Sequence, residues 1–137
     1  MAKLITLEVL AGHARASAAT ETIWARMLDW AERHALGHWY GLGGTGPAVY
    51  DCSGLVYRSA HELGVNMPRT TYQMLSSPLL YRVSRPQRGD LAFFGTEHVE
   101  FVAVLPHTTF GAHGRGTRVG WRSWNAGWHP TMYFRIR

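Results

Sequence analysis

The sequence predicts an α+β domain in which a helix carrying the only cysteine packs on an antiparallel sheet of five to six strands. Apolar and small residues recur at Cys52, Leu55, Val56, Ser59, Ala60 and Leu63, the stripe of an amphipathic helix. Beyond residue 90 the chain breaks into short runs rich in β-branched and aromatic residues, divided by glycine turns. Helical segments come first and strands afterwards, an order that segregates the layers instead of interleaving them as βαβ units. A chain of 137 residues, 46% of them hydrophobic, is of single-domain size and can bury one core. We divide it into an N-terminal segment, residues 1–19, and one domain, residues 20–137.

Thr20 is expected to cap the first helix, which turns Ile23, Met27, Trp30 and Ala31 inward and stops before Gly37. The glycine-rich stretch from Tyr40 to Gly46 lacks the Lys-Ser/Thr pair and the strand-to-helix setting of a phosphate-binding loop, which excludes that reading. Cys52 opens the second helix and Gly64 ends it. Thr70-Thr71-Tyr72-Gln73 has the form of a capping box at the start of a short helix. Strands are expected at 90–94, 98–105, 109–113, 117–123 and 131–137, with Gly95-Thr96-Glu97 and Gly114-Arg115-Gly116 as turns. The late aromatics Trp121, Trp124, Trp128, Tyr133 and Phe134 are expected to pack the sheet's core and edges rather than form a sugar-stacking surface. The loop at 125–130 is expected to border a cleft.

A single cysteine cannot form an intramolecular disulfide or a multi-thiolate metal site, which leaves Cys52 as a core residue of its stripe or as a reactive thiol. Its place in a first helical turn, where unpaired N–H groups and the positive end of the helix dipole favour a thiolate, suits the second use. A thiolate nucleophile needs a base, and the base needs an orienting group. Among eight histidines, His98 opens one strand-like run and His113 lies at the end of the next. Strand alternation puts Glu100, Val102 and Val104 on the face of His98, and Thr109 and Gly111 on that of His113. A buried carboxylate beside the base is costly unless an arginine, the imidazole or a substrate satisfies it. We expect Glu100 to be a charge tolerated at the edge of the site. His34 and His38 lie one turn apart but have no His-Glu-x-x-His frame and no third ligand, so no metal is expected there.

Five motifs then stand in order: Tyr40-Gly41-Leu42-Gly43-Gly44, Tyr50-Asp51-Cys52-Ser53-Gly54-Leu55-Val56, Met67-Pro68-Arg69-Thr70, Arg88-Gly89-Asp90-Leu91-Ala92-Phe93-Phe94 and His98-Val99. Together they resemble the NlpC-type cell-wall peptidases over residues 20–137. The resemblance implies a papain-like fold with Cys52 as nucleophile, His98 as general base and His113 orienting that base. It also implies a Tyr40 hydroxyl near the nucleophile and no cofactor; we expect Asp51, Ser53 and Glu100, which flank the nucleophile and the base, to border the cleft and oxyanion site. The implied reaction is hydrolysis of an amide in the peptidoglycan stem peptide, next to D-γ-glutamyl and diaminopimelate residues, through an acyl-enzyme, and we expect a monomer. An N-acetylmuramoyl-alanine amidase or acyltransferase on the same fold, or a non-catalytic wall-binding or virion module, remains open at this level. The chain departs from the family at Glu100, where a small residue is usual.

The formal net charge of +5 suits attraction to an anionic polymer, nucleic acid or cell wall, and with the arginines dispersed rather than gathered in a run charge alone does not choose; given the resemblance, the wall is expected and nucleic acid is not. No segment approaches the ~20 apolar residues of a membrane span. Glu8, His13 and Arg15 interrupt the one signal-like stretch, so an export signal is not expected. That combination suits a phage-encoded hydrolase, released at lysis or carried on the virion.

Overall fold

The structure, a computed structural model, describes residues 21–137. Thr20 and the signal-like stretch lie outside the described residues. The first helix, α1 (Ile23–Ala35), is capped instead by Thr22, whose hydroxyl accepts from the Ala25 N–H at 3.2 Å. Met27, Leu28 and Ala31 are buried, whereas Trp30, expected inward, sits half-buried at the margin with the Arg58 guanidinium 5.6 Å from its ring.

Two short strands not foreseen in the sequence follow: β1 (Trp39–Tyr40) and β2 (Val49–Tyr50) pair in parallel and bracket the glycine-rich loop. The cysteine helix α2 (Cys52–Glu62) comes next, with Asp51 as its N-cap. The short helix α3 (Thr71–Leu75) opens with the expected capping box, Thr70 and Gln73 bonding reciprocally.

The remaining chain forms one six-stranded antiparallel sheet in the order β3-β8-β4-β5-β6-β7. Its strands are β3 (Leu80–Val83), β4 (Leu91–Phe94), β5 (His98–Val104), β6 (Thr108–Gly111), β7 (Gly120–Ser123) and β8 (Met132–Ile136). β3 escaped the sequence reading because four residues among polar neighbours carry little local signal; its pairing with the C-terminal strand β8 makes it a strand. The segment expected as one strand at 117–123 divides. Residues 120–123 pair with β6, while Thr117 and Val119 accept from the N–H groups of Tyr40 and Gly37 at 3.0 and 2.9 Å. β6 ends at Gly111, so His113 stands two residues past the strand that was expected to hold it.

Alternation along β5 separates structure from chemistry. Val99, Phe101 and Ala103 join Leu55, Val56, Ala60, Met27, Leu28, Phe93 and Phe110 in one core, while His98, Glu100 and Val102 have the opposite parity. Asp90, fully buried, receives Nε and Nη2 of Arg135 at 2.7 Å each and the Gln87 N–H at 2.6 Å, which ties the entry of β4 to β8. Among the described residues no helix is long and apolar enough to cross a membrane.

Candidate active site

Cys52 is held by the way α2 begins. The Asp51 carboxylate caps the helix by accepting the Gly54 N–H at 2.7 Å, and its second oxygen accepts from Gly43 N–H at 2.8 Å and from Arg69 Nη2 at 2.9 Å. The other arm of Arg69 donates to the Ser53 hydroxyl at 2.9 Å. Asp51 N–H donates to the Gly44 carbonyl at 2.9 Å, drawing the glycine loop against the first turn. The approach is so close that a Cβ at Gly54 would stand 1.9 Å from that carbonyl oxygen. Asp51 and Ser53, each only 7% exposed, frame the thiol through these bonds and also line the cleft with it, where they were expected.

The β4-β5 hairpin brings His98 to Cys52. His98 and the thiol act on each other electrostatically, while Sγ itself lies 3.9 Å from the Glu97 carbonyl oxygen; since His98 Nε2 lies 2.6 Å from Glu100 Oε2, Nδ1 is the ring nitrogen left for the thiol. The expected pairing of His98 with His113 is not made. Glu100 stands between them: its Oε2 also lies 2.7 Å from His113 Nδ1, and its Oε1 accepts the Thr109 hydroxyl at 2.7 Å. Glu100 is 1% exposed, so the expectation of a charge tolerated at the rim is overturned by burial with three polar partners, none of them an arginine, among the described residues. Register explains the contact. Phe101 pairs with Phe110, which sets Glu100 opposite Gly111, the one residue without a side chain to obstruct it.

The charges follow from these contacts. Burial by itself would push the Cys52 thiol up, but the neighbouring His98, with the N–H groups of Val99 and Ser53, holds it below its ordinary value. Burial would likewise depress His98; hydrogen bonds and charge from Cys52 and Glu100 instead raise it to about 9. Burial opposes ionisation of Glu100, yet the two histidines bring it down to about 2. Tyr40 is raised by burial and then by the charges of Cys52 and Asp51, and it lines the same cleft as Cys52.

Cys52 opens into a cleft of about 310 Å³ lined by Asp51 and Ser53 together with Tyr40, Leu42, Tyr72 and Glu97; Glu100, expected there too, lies behind His98 instead. Near His98, Trp128 stacks on Phe94 with centroids 4.2 Å apart, and the Arg122 guanidinium lies 4.0 Å from the Trp128 ring. This is the loop expected to border the cleft; its indole centroid is 6.3 Å from the His98 ring. Sequence reasoning assigned no role to Arg69, although it stood inside a quoted motif, nor to Thr109, which carries no local sign of its partner.

Residues 37–137 match the NlpC/P60 family. Curated relatives include a "Probable endopeptidase" of Corynebacterium glutamicum (strain R), 35% identical over 68% of this chain and 44% of its own length, and a "Probable endopeptidase p60" of Listeria seeligeri, 38% identical over 50% of this chain and 14% of its own length. The chain therefore spans less than half the length of these relatives. Among solved structures, the NlpC/p60 domain of the peptidoglycan hydrolase SagA superposes with a TM-score of 0.70 at 26% identity, covering 82% of this chain and 98% of that one. The peptidoglycan hydrolase RipB of Mycobacterium tuberculosis superposes with a TM-score of 0.66 at 23% identity, over 90% and 68% of the two chains.

Proposed function

Because the chain belongs to the NlpC/P60 family, we propose that it is a cysteine peptidase hydrolysing an amide bond in the stem peptide of bacterial peptidoglycan. The observation that carries the chemistry is a thiol in the first turn of α2 beside an imidazole backed by a buried carboxylate, with the thiol held down and the imidazole held up. The substrate class rests on relatives named as endopeptidases and as peptidoglycan hydrolases.

With the thiol proton on His98, the Cys52 thiolate attacks the amide carbonyl carbon; a C–S bond forms and the carbonyl π pair moves onto oxygen. The first-turn N–H groups of α2 that the Asp51 cap does not take stabilise the charge on that oxygen. Collapse restores the carbonyl and breaks the C–N bond, while His98 gives its proton to the departing nitrogen. Neutral His98 next takes a proton from water, whose oxygen attacks the thioester. Collapse of that adduct releases the acid and returns the thiolate–imidazolium pair.

The test is mass spectrometry of purified muropeptides after incubation with wild-type protein and with Cys52→Ala. The expected products are two fragments that together gain one water, cut at the D-γ-glutamyl–diaminopimelate bond, and none from Cys52→Ala. Release of whole stem peptides from the glycan would assign an amidase instead, and unchanged muropeptides would remove the hydrolase reading.

A further inference from the structure

Glu100 is an expensive residue to place where it is. Its carboxylate is out of water, on a strand, and among the described residues no lysine or arginine is bonded to it. An isolated buried carboxylate takes up a proton or distorts the fold unless several donors meet it. Here three meet it, and all come from the site: His98 from its own strand, Thr109 from β6 and His113 from the turn after β6. The neighbouring strand leaves a space for it as well. A Cβ at Gly111 would stand 2.7 Å from Glu100 Cγ and 3.0 Å from its Cδ, so the glycine is required for the carboxylate to reach its partners.

An ionised carboxylate only accepts hydrogen bonds. Both imidazoles must therefore present N–H to Oε2: Nε2–H from His98 and Nδ1–H from His113. That fixes the His98 tautomer, with Nδ1 left to face Cys52 and exchange the proton. The Nε2 atom of His113 is buried without a hydrogen-bond partner among the described residues, so its ring is held from one side only, by Glu100. Thr109 secures the carboxylate's other oxygen.

We propose that Glu100, and not His113, is the positioning residue of His98, and that His113 and Thr109 act one step further out by holding the Glu100 carboxylate. The site then runs Cys52, His98, Glu100, His113. This inference rests on the peptidase reading for its kinetic consequences, though not for its test by titration. The charged and titratable groups facing His98 are Cys52 from α2, Glu100 from β5 and, through Glu100, His113; Tyr40 and Asp51 act on the Cys52 side. Among the described residues the Glu100 carboxylate is the one negative charge hydrogen-bonded to the ring.

The experiment compares wild type, Glu100→Gln and His113→Gln in three readouts: the pH profile of Cys52 alkylation by iodoacetamide, the pH profile of kcat/KM on muropeptides, and the ¹⁵N shifts of the His98 ring. Glu100→Gln should lower kcat about 10²-fold with KM little changed, and move the alkaline limb of activity down by about one pH unit or more. His113→Gln should shift the same limb in the same direction and by less, because the carboxylate still reaches His98. A Glu100→Gln profile that superposes on wild type, or a His113→Gln defect larger than that of Glu100→Gln, overturns the assignment. If the amide variant does not fold, the wild-type ring shifts decide: Nε2 protonated and Nδ1 exchanging supports the proposal, and the reverse tautomer refutes it. Alkylation and ring shifts need no substrate, so they report on Glu100 even if the muropeptide assay were to fail the peptidase reading.

Discussion

Gly54→Ala adds one methyl group where the start of α2 meets the glycine loop. The new Cβ would lie 1.9 Å from the Gly44 carbonyl oxygen and 2.7 Å from Asp51 Oδ1, and neither can yield cheaply. The carbonyl is backbone that already accepts the Asp51 N–H, and the carboxylate is pinned by Gly43 and Arg69. Opening the contact to beyond 3.0 Å displaces the loop by more than an ångström relative to the helix. Such overpacking costs about 1–3 kcal/mol, and a weakened N-cap adds about 1 kcal/mol. Replacing a helical glycine by alanine returns about 1 kcal/mol. The net loss of about 1–3 kcal/mol corresponds to a fall in Tm of roughly 3–12 °C for a domain of this size. Because loop and helix carry Tyr40 and Cys52, a shift of this size also misplaces reacting groups, and kcat/KM should fall about 10²-fold. Thermal denaturation by circular dichroism, with muropeptide turnover in parallel, measures both. A variant with wild-type Tm and turnover within twofold would refute the claim that this approach sets the nucleophile's position.

Asp90→Ala leaves the Arg135 guanidinium and the Gln87 N–H without their acceptor and should cost about 3 kcal/mol, read as a lower urea midpoint. Cys52 should alkylate with a midpoint below the ~8.5 of a free thiol, and a midpoint at or above it would remove the ion pair. Stability should have a plateau with two edges. Glu100, at about 2 folded against 4.5, stabilises above 4.5 and loses that contribution as pH falls toward 2. His98, at about 9 folded against 6.5, stabilises fully below 6.5 and loses that contribution as pH rises through 9. Chemical denaturation across this range should be flat in both directions if neither group is coupled to folding. His98→Ala should abolish turnover while His107→Ala, against Trp124 and away from the thiol, should not; the opposite result would move the base.

The sequence by itself determined the class of fold, the cysteine at a helix start and the strand opened by His98, because each is written in local periodicity and in residues adjacent along the chain. Strand parity even put Glu100 on the face of His98. Tertiary structure alone decided what Glu100 does there. Its partners come from β6 and the turn beyond it, and whether they meet it depends on the register that sets Glu100 against Gly111. Register is a non-local choice: a shift by one residue would have sent Thr109 to the other face and left the carboxylate unsatisfied. The same holds for β3, which is a strand because β8 lies beside it, and for residues 117–119, which turn from the sheet to bond the chain near Tyr40. The helix cap moved from Thr20 to Thr22 for a smaller reason, since two threonines two residues apart offer the same side chain and only the backbone's entry into α1 chooses between them.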